Sequence, residues 1–162
     1  MLAERLNWKI LDSGALYRAF AYFSISENDE RLIEKNLKKI SFNIVDNSIQ
    51  VLFEDEDISR HLRTEETAIQ ASKISSLSST REILLPIQRF FSETSNLIAD
   101  GRDMGSVVFP NANLKFFLDA APEVRAKRRY LELQKRGQEV NMHDLINDIV
   151  ERDKKDLSLI HI

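Results

Sequence analysis

The chain contains no cysteine. Disulfides, thiolate metal sites and cysteine nucleophiles are therefore excluded, and the composition suits a reducing compartment such as the cytoplasm. Histidine is scarce: His61, His143 and His161 are scattered, which argues against a histidine-based metal centre. No run of about 18 apolar residues exists, so no membrane-spanning helix is expected. The opening residues, Met1 to Lys9, carry charge where a secretory signal would be apolar. Glycine is the most informative shortage. The chain has 4 in 162 residues, about 2.5%, against a usual share of about 7%. They are Gly14, Gly101, Gly105 and Gly137, and no pair has the spacing of a G-x-x-x-x-G-K-[ST] phosphate loop. G-x-G-x-x-G is missing too, so no glycine-rich nucleotide loop can be written from these residues.

What is present is a globular composition. Hydrophobic residues make up 43% and charged residues 30%, enough to bury a core in one domain with a small insert. The formal charge of −3 is unevenly spread. Ser26 to Thr67 holds eleven acidic and six basic residues, hence −5, and reads as a solvated surface. Arg125 to Lys155 holds nine basic and six acidic residues, hence +3. That stretch is suited to meeting anions or simply to facing water. The pI near 5.7 and the lack of an aromatic-basic stripe argue against nucleic acid as a partner.

The periodicity alternates between helix and strand. Leu2 to Leu6 reads as the end of a helix, and Trp8 to Leu11 as a short strand. Asp12-Ser13-Gly14 turns into a helix with Leu16, Phe20 and Phe23 on one face and Ser13 as its N-cap. A helix near Asp29 to Lys39 buries Leu32, Ile33, Leu37 and Ile40. Ile40, Phe42 and Ile44 then alternate with polar residues, as do Ile49, Val51 and Phe53. With Asp46-Asn47-Ser48 between them they predict a β-hairpin insert. Thr64 to Phe91 is helical, with a capping box at Ser79 to Glu82 marking a new start and Pro86 predicting a kink or break. Leu97 to Ala99 and Leu114 to Leu118 read as buried strands. Pro122 opens a helix that runs to Lys135 with Gly137 as its stop. Asn141 caps a last helix carrying Leu145, Ile149, Arg152 and Asp156 on one stripe. The expected fold class is α/β, a parallel sheet with flanking helices and a small antiparallel insert.

Three charged constellations fall where an α/β sheet binds ligands, beyond the carboxyl ends of strands. Asp12 to Arg18 follows a strand and opens a helix whose N-terminus attracts anions; the same pattern fits a capped turn with an exposed Arg18. Asp100-Gly101-Arg102-Asp103 follows a strand directly. There Asp100 suits a metal-bound water, Arg102 a phosphate, and Asp103 an exocyclic amine such as cytosine N4. The alternative is a charged surface loop. Arg152 and Asp156 lie one helical turn apart, which fits a site edge or an ordinary i,i+4 ion pair.

Together these segments resemble the bacterial cytidylate kinases, of the nucleoside monophosphate kinase group. The likeness rests on LDSGALYRAFA from Leu11, RTEE…AS from Arg63 to Ser72, TRE…QRFF from Thr80 to Phe91, IADGRDMGSVVFP from Ile98 to Pro110, LKFFLDA from Leu114 and ERDKKD from Glu151. The resemblance implies a fold of the phosphate-loop monophosphate kinase type. It implies a core at 1–25 and 92–135, a monophosphate-binding region with the hairpin insert at 26–91, and a lid at 136–162. It also implies transfer of the γ-phosphoryl of Mg-ATP to CMP or dCMP. Substrate contacts would come from Ser13, Tyr17, Arg18, Ser72, Arg81, Asp103 and Asp156, with Arg18 on the phosphate and Ser72, Arg81 and Asp103 on the base. Arg102, Arg152 and Asp100 would serve the reacting phosphates. The expected partners are the nucleotides alone, with no membrane or nucleic acid, and the expected state is a cytoplasmic monomer.

Two departures qualify the likeness. Family members open with a strand and a GPxGxGKGT-type loop, whereas this sequence opens on what resembles the helix after it. Leu159 also stands where the family's RDxxDxxR pattern has its last arginine. These departures imply an internal piece that lacks the ATP-binding loop and therefore turns over poorly. Three readings follow: a cytidylate kinase, a non-catalytic CMP-binding remnant of one, or a kinase for another monophosphate such as UMP or AMP.

Overall fold

The computed structural model describes residues 1–93, 95–135 and 137–160, without the side chains of 152 and 155–160. The chain forms two units, Met1–Met104 and Gly105–Ile162.

The first unit is built around helix α2 (Ser13–Ser26), preceded by α1 (Leu2–Leu6) and strand β1 (Lys9–Asp12). Leu16, Ala19, Phe20 and Phe23 recur at helical spacing on α2 and are buried, as the sequence predicts. β1 pairs in parallel with β5 (Leu97–Asp100), Lys9 opposite Leu97 and Asp12 opposite Asp100. Leu97 to Ala99 are only half-buried, unlike the buried strand their apolar run predicts. Helix α3 (Glu30–Leu37) buries Ile33 and Leu37 but leaves Leu32 exposed. The adjacent Ile33 lies about 100° further round the helix, and only one of the two can face inward.

The hairpin is present as β2 (Ile40–Val45) and β3 (Ser48–Phe53), with Ile40 opposite Phe53 and Val45 opposite Ser48. Asp46 and Asn47 both take left-handed φ, 50° and 56°, which short polar side chains tolerate and tight hairpins require. A third short strand, β4 (Glu56–Asp57), adds to β3. The alternation does not reveal it, because two exposed acidic residues carry no period. Ring contacts dock the hairpin on the helices. Phe53 meets Phe23 edge-on at 5.0 Å between centroids, and Phe42 meets Phe91 at 5.4 Å.

The helical region consists of α4 (Glu65–Ile74) and α5 (Ser78–Phe90), with a new start close to the one expected. Thr64 caps α4 by accepting from the Thr67 N–H. α5 starts one residue before the expected capping box, and its N-cap, Leu77, offers no side-chain bond. It runs unbroken through Pro86. The ring removes the N–H that would bond the Glu82 carbonyl, but Pro86 and Glu82 are both exposed, so water can satisfy that carbonyl. Thr80, Leu84, Ile87 and Gln88 on the buried face hold the helix together instead.

In the second unit a π-helical turn ends at Val108, and α6 (Pro122–Lys135) and α7 (Met142–Ile160) follow. Pro122 opens α6 as predicted. Gly137 closes it at φ 74°, with the Gly137 and Gln138 N–H groups returning to the Gln134 and Leu133 carbonyls. The Asn141 side chain caps α7 by accepting from the His143 N–H. Arg125 of α6 forks onto the carboxylate of Asp153 on α7, Nη1 to Oδ1 at 2.8 Å and Nη2 to Oδ2. Leu114 to Leu118 departs from the buried strand its apolar run predicts. It forms no strand, and Leu114, Phe116, Phe117 and Leu118 are 75–92% exposed. An apolar run becomes a strand only where a partner edge takes up its N–H and C=O groups. Among the described residues no such edge pairs with it.

Candidate active site

The parallel pairing of β1 and β5 brings Asp12 and Asp100 side by side at the strands' carboxyl ends. Asp12 is the true N-cap of α2. Its Oδ1 accepts from the Ala15 N–H at 2.9 Å, so Ser13 is the first helical residue rather than the cap. The sequence misses this because aspartate and serine cap almost equally well. Ser13 is buried, and its hydroxyl accepts from Gln88 Nε2 at 3.0 Å.

A cleft of about 440 Å³ opens beside this helix start. Asp12, Ala15 and Arg18 line one side, and Asn47, Ser59 and Arg63 come from the hairpin and the turn after it. Two guanidinium-bearing residues thus line a cleft at a helix N-terminus, a setting suited to an anionic group. The turn that carries Arg63 is fixed from both sides. Ser59 Oγ accepts from the Val51 N–H at 2.9 Å, and the Ser59 N–H donates to Asp57 Oδ1. Those bonds from Ser59 hold the Asp57 carboxyl below its usual range. The Thr67 hydroxyl donates to the His61 carbonyl at 3.1 Å, and the His61 ring stacks on Tyr22 at 5.7 Å. Arg63 has no expected role in the sequence beyond its place in the RTEE segment.

A second grouping involves Tyr17, the residue before Arg18 on α2. Burial raises the Tyr17 hydroxyl above its ordinary pKa, the Arg81 charge lowers it and the Asp103 charge raises it. Tyr17, Arg81 and Asp103, from α2, α5 and the loop after β5, therefore share one electrostatic neighbourhood. The folded state favours neutral Tyr17. Its stabilising contribution is complete below the unfolded pKa of about 10 and is lost as pH rises through the folded value. Ser72 sits exposed on α4. Its carbonyl accepts from the Ser75 hydroxyl at 3.0 Å, and the Ser75 carbonyl accepts from Arg81 Nη2 at 3.5 Å. Ser72 and Arg81 therefore bracket the turn between α4 and α5. Asp100 and Arg102 are exposed at the end of β5. Arg152 and Asp156 lie on α7, and their side chains fall outside the described residues.

Gln88 is the residue that sequence reasoning passes over. It belongs to the QRFF segment, yet a glutamine in an amphipathic helix ordinarily reads as a surface residue. Its position on the Thr80–Leu84 stripe, at four-residue spacing, was the available signal.

No helix among the described residues is long and apolar enough to cross a membrane. The family model for cytidylate kinase matches residues 1–159. The chain is 48% identical over 162 residues to a cytidylate kinase from Aeromonas salmonicida, an alignment covering 96% of this chain and 70% of that protein. It is 46% identical to one from Photobacterium profundum, over 96% and 71%. A cytidylate kinase from Shewanella loihica is 44% identical, over 98% and 72%. With a parallel α/β pair, flanking helices and a small antiparallel sheet, and with this level of identity across nearly its whole length, the chain belongs to the cytidylate kinase family.

Proposed function

We propose that residues 1–162 carry the monophosphate side of a CMP/dCMP kinase reaction. The observation that carries this reading is the pair of adjoining groupings on α2: Arg18 with Arg63 lining the cleft, and the preceding residue, Tyr17, with Arg81 and Asp103. The first suits a phosphate and the second a base presenting an amine. Ser72 at the α4–α5 turn would complete the base contacts, and Ser13 would stand behind the helix start. Arg152 and Asp156, in the lid at 136–162, would serve ribose and phosphate, with 26–91 as the monophosphate-binding region. The catalysed step joins a CMP phosphate oxygen to the γ-phosphorus of ATP as the β–γ bridging bond breaks and ADP leaves. Positioning and charge neutralisation supply the rate, with Arg102 on the transferring group.

Magnesium, bound with ATP, would supply neutralisation of phosphate charge. Among the described residues no group of three histidine or carboxylate side chains could hold a metal alone. Asp100, beside Asp12 at the strand ends, fits the usual arrangement of one or two carboxylates plus substrate phosphates. A cytoplasmic monomer with only nucleotide partners accords with this chemistry.

Calorimetric titration of the chain with CMP and UMP tests the site. Asp103→Ala should weaken CMP at least tenfold while changing UMP much less. Equal losses for both would remove Asp103 from base reading. Residues 1–162 contain no G-x-x-x-x-G-K-[ST] segment to hold ATP phosphates, which favours CMP binding over turnover by this chain alone. A coupled assay of ADP release should accordingly show negligible turnover. A rate of about 1–100 s⁻¹, ordinary for kinases, would overturn that expectation.

A further inference from the structure

The Ser13–Gln88 bond joins positions 75 apart in sequence, and both residues are buried, Ser13 at 5% exposure and Gln88 at 3%. A buried amide is costly unless bonded, and a methionine or leucine would fill the same space without that cost. The position of the bond shows what it accomplishes. On α5, Gln88 lies seven residues after Arg81, about two turns along the same stripe, with the fully buried Leu84 between them. On α2, Ser13 lies one turn before Tyr17. The two helices therefore meet at Ser13 with Gln88, and Arg81, two turns back along α5, acts electrostatically on Tyr17. Ser13 is held from a third side as well: a Cβ added at Gly101 would come within 2.8 Å of its Cβ. The bond thus locks the start of α2 to α5 directly beneath the loop that carries Arg102 and Asp103.

We propose that Gln88 is a positioning residue, which sets the register of α5 on α2 through Ser13 and thereby places Arg81 for reading the base. Apolar packing around Leu84 is non-directional and tolerates small slides along the stripe, whereas a single buried hydrogen bond does not. Gln88 touches no nucleotide in this arrangement; it acts through Ser13 and the helix. The inference rests on the proposed CMP site.

The test uses Gln88→Met, which keeps length and approximate volume but removes the donor, and Ser13→Ala, which removes the acceptor. The 162-residue chain is titrated with CMP and with UMP, and Tm is recorded for each variant. Each variant should weaken CMP about tenfold and narrow the preference for CMP over UMP. The double variant should be no worse than either single one, because the two residues act as one unit. Unchanged CMP affinity overturns the proposal. So does an equal loss for both nucleotides accompanied by a fall in Tm, which marks a merely structural role. Additive losses overturn it too, since Ser13 would then contact substrate independently of Gln88. Ser13→Ala is the smaller change and carries the test if Gln88→Met does not fold. A wild-type chain without preference for CMP overturns the site reading itself and this proposal with it. A preference present in the wild type and untouched in the variants overturns the proposal alone.

Discussion

Gly101→Ala is expected to lower Tm by on the order of 5 °C and to impair CMP binding, although it adds one methyl group. The new Cβ would sit 2.8 Å from Ser13 Cβ and 2.9 Å from Met104 Cγ. Met104 can turn its side chain away. Ser13 cannot, because its Cβ is fixed to the first turn of α2 and its hydroxyl is held by Gln88. Overpacking of this kind costs about 1–3 kcal/mol, and each kcal/mol moves Tm by about 2–4 °C in a chain of this length. Trp8, the single tryptophan, precedes β1 and reports on this unit by fluorescence. Gly14→Ala is the control. There the added Cβ meets only Asp12 Oδ1, at 3.3 Å, and alanine is the better helix former. Gly14→Ala should leave Tm unchanged or slightly raised. An equal fall for both variants would show that Gly101 is not packed against Ser13.

These two glycines show how far the sequence reaches. Both are visible in the motifs as turns beside strand ends, and neither motif says which one is sterically required. That depends on Ser13 arriving from 88 positions earlier in the chain. The hairpin is legible because its information is local: Ile40, Phe42 and Ile44 alternate, and Asp46-Asn47 can enter left-handed φ. The helix stop at Gly137 and the cap at Asn141 are legible for the same reason. The unbroken passage of α5 through Pro86 is not, since it depends on which face of the helix is buried. At the site, Arg18, Arg81 and Asp103 stand out as charges in motifs. Asp12 as the cap, Arg63 in the cleft and Gln88 under Ser13 become visible only when β5, the hairpin and α5 are brought to α2.

Leu84→Ala should produce the largest loss of stability of any substitution considered. Leu84 is fully buried on the stripe between Arg81 and Gln88. Truncating such a leucine costs about 2–5 kcal/mol, the spread reflecting how far neighbours collapse into the cavity. A Tm decrease on the order of 10 °C by far-UV circular dichroism is therefore expected. CMP affinity should fall with it, because the cavity opens one turn from the Ser13–Gln88 bond that joins α5 to α2. Leu118→Ala removes the same atoms from a residue whose sequence context is equally apolar, yet Leu118 is 92% exposed. Its cost should stay within about 0.5 kcal/mol, as for surface positions generally. Comparable losses at the two positions would show that Leu114 to Leu118 is covered in solution, and that its apolar run meets a strand edge as its sequence predicts. A large loss at Leu84 alone would locate the stability of the candidate site in the α2–α5 contact, where Tyr17, Arg81, Ser13 and Gln88 converge.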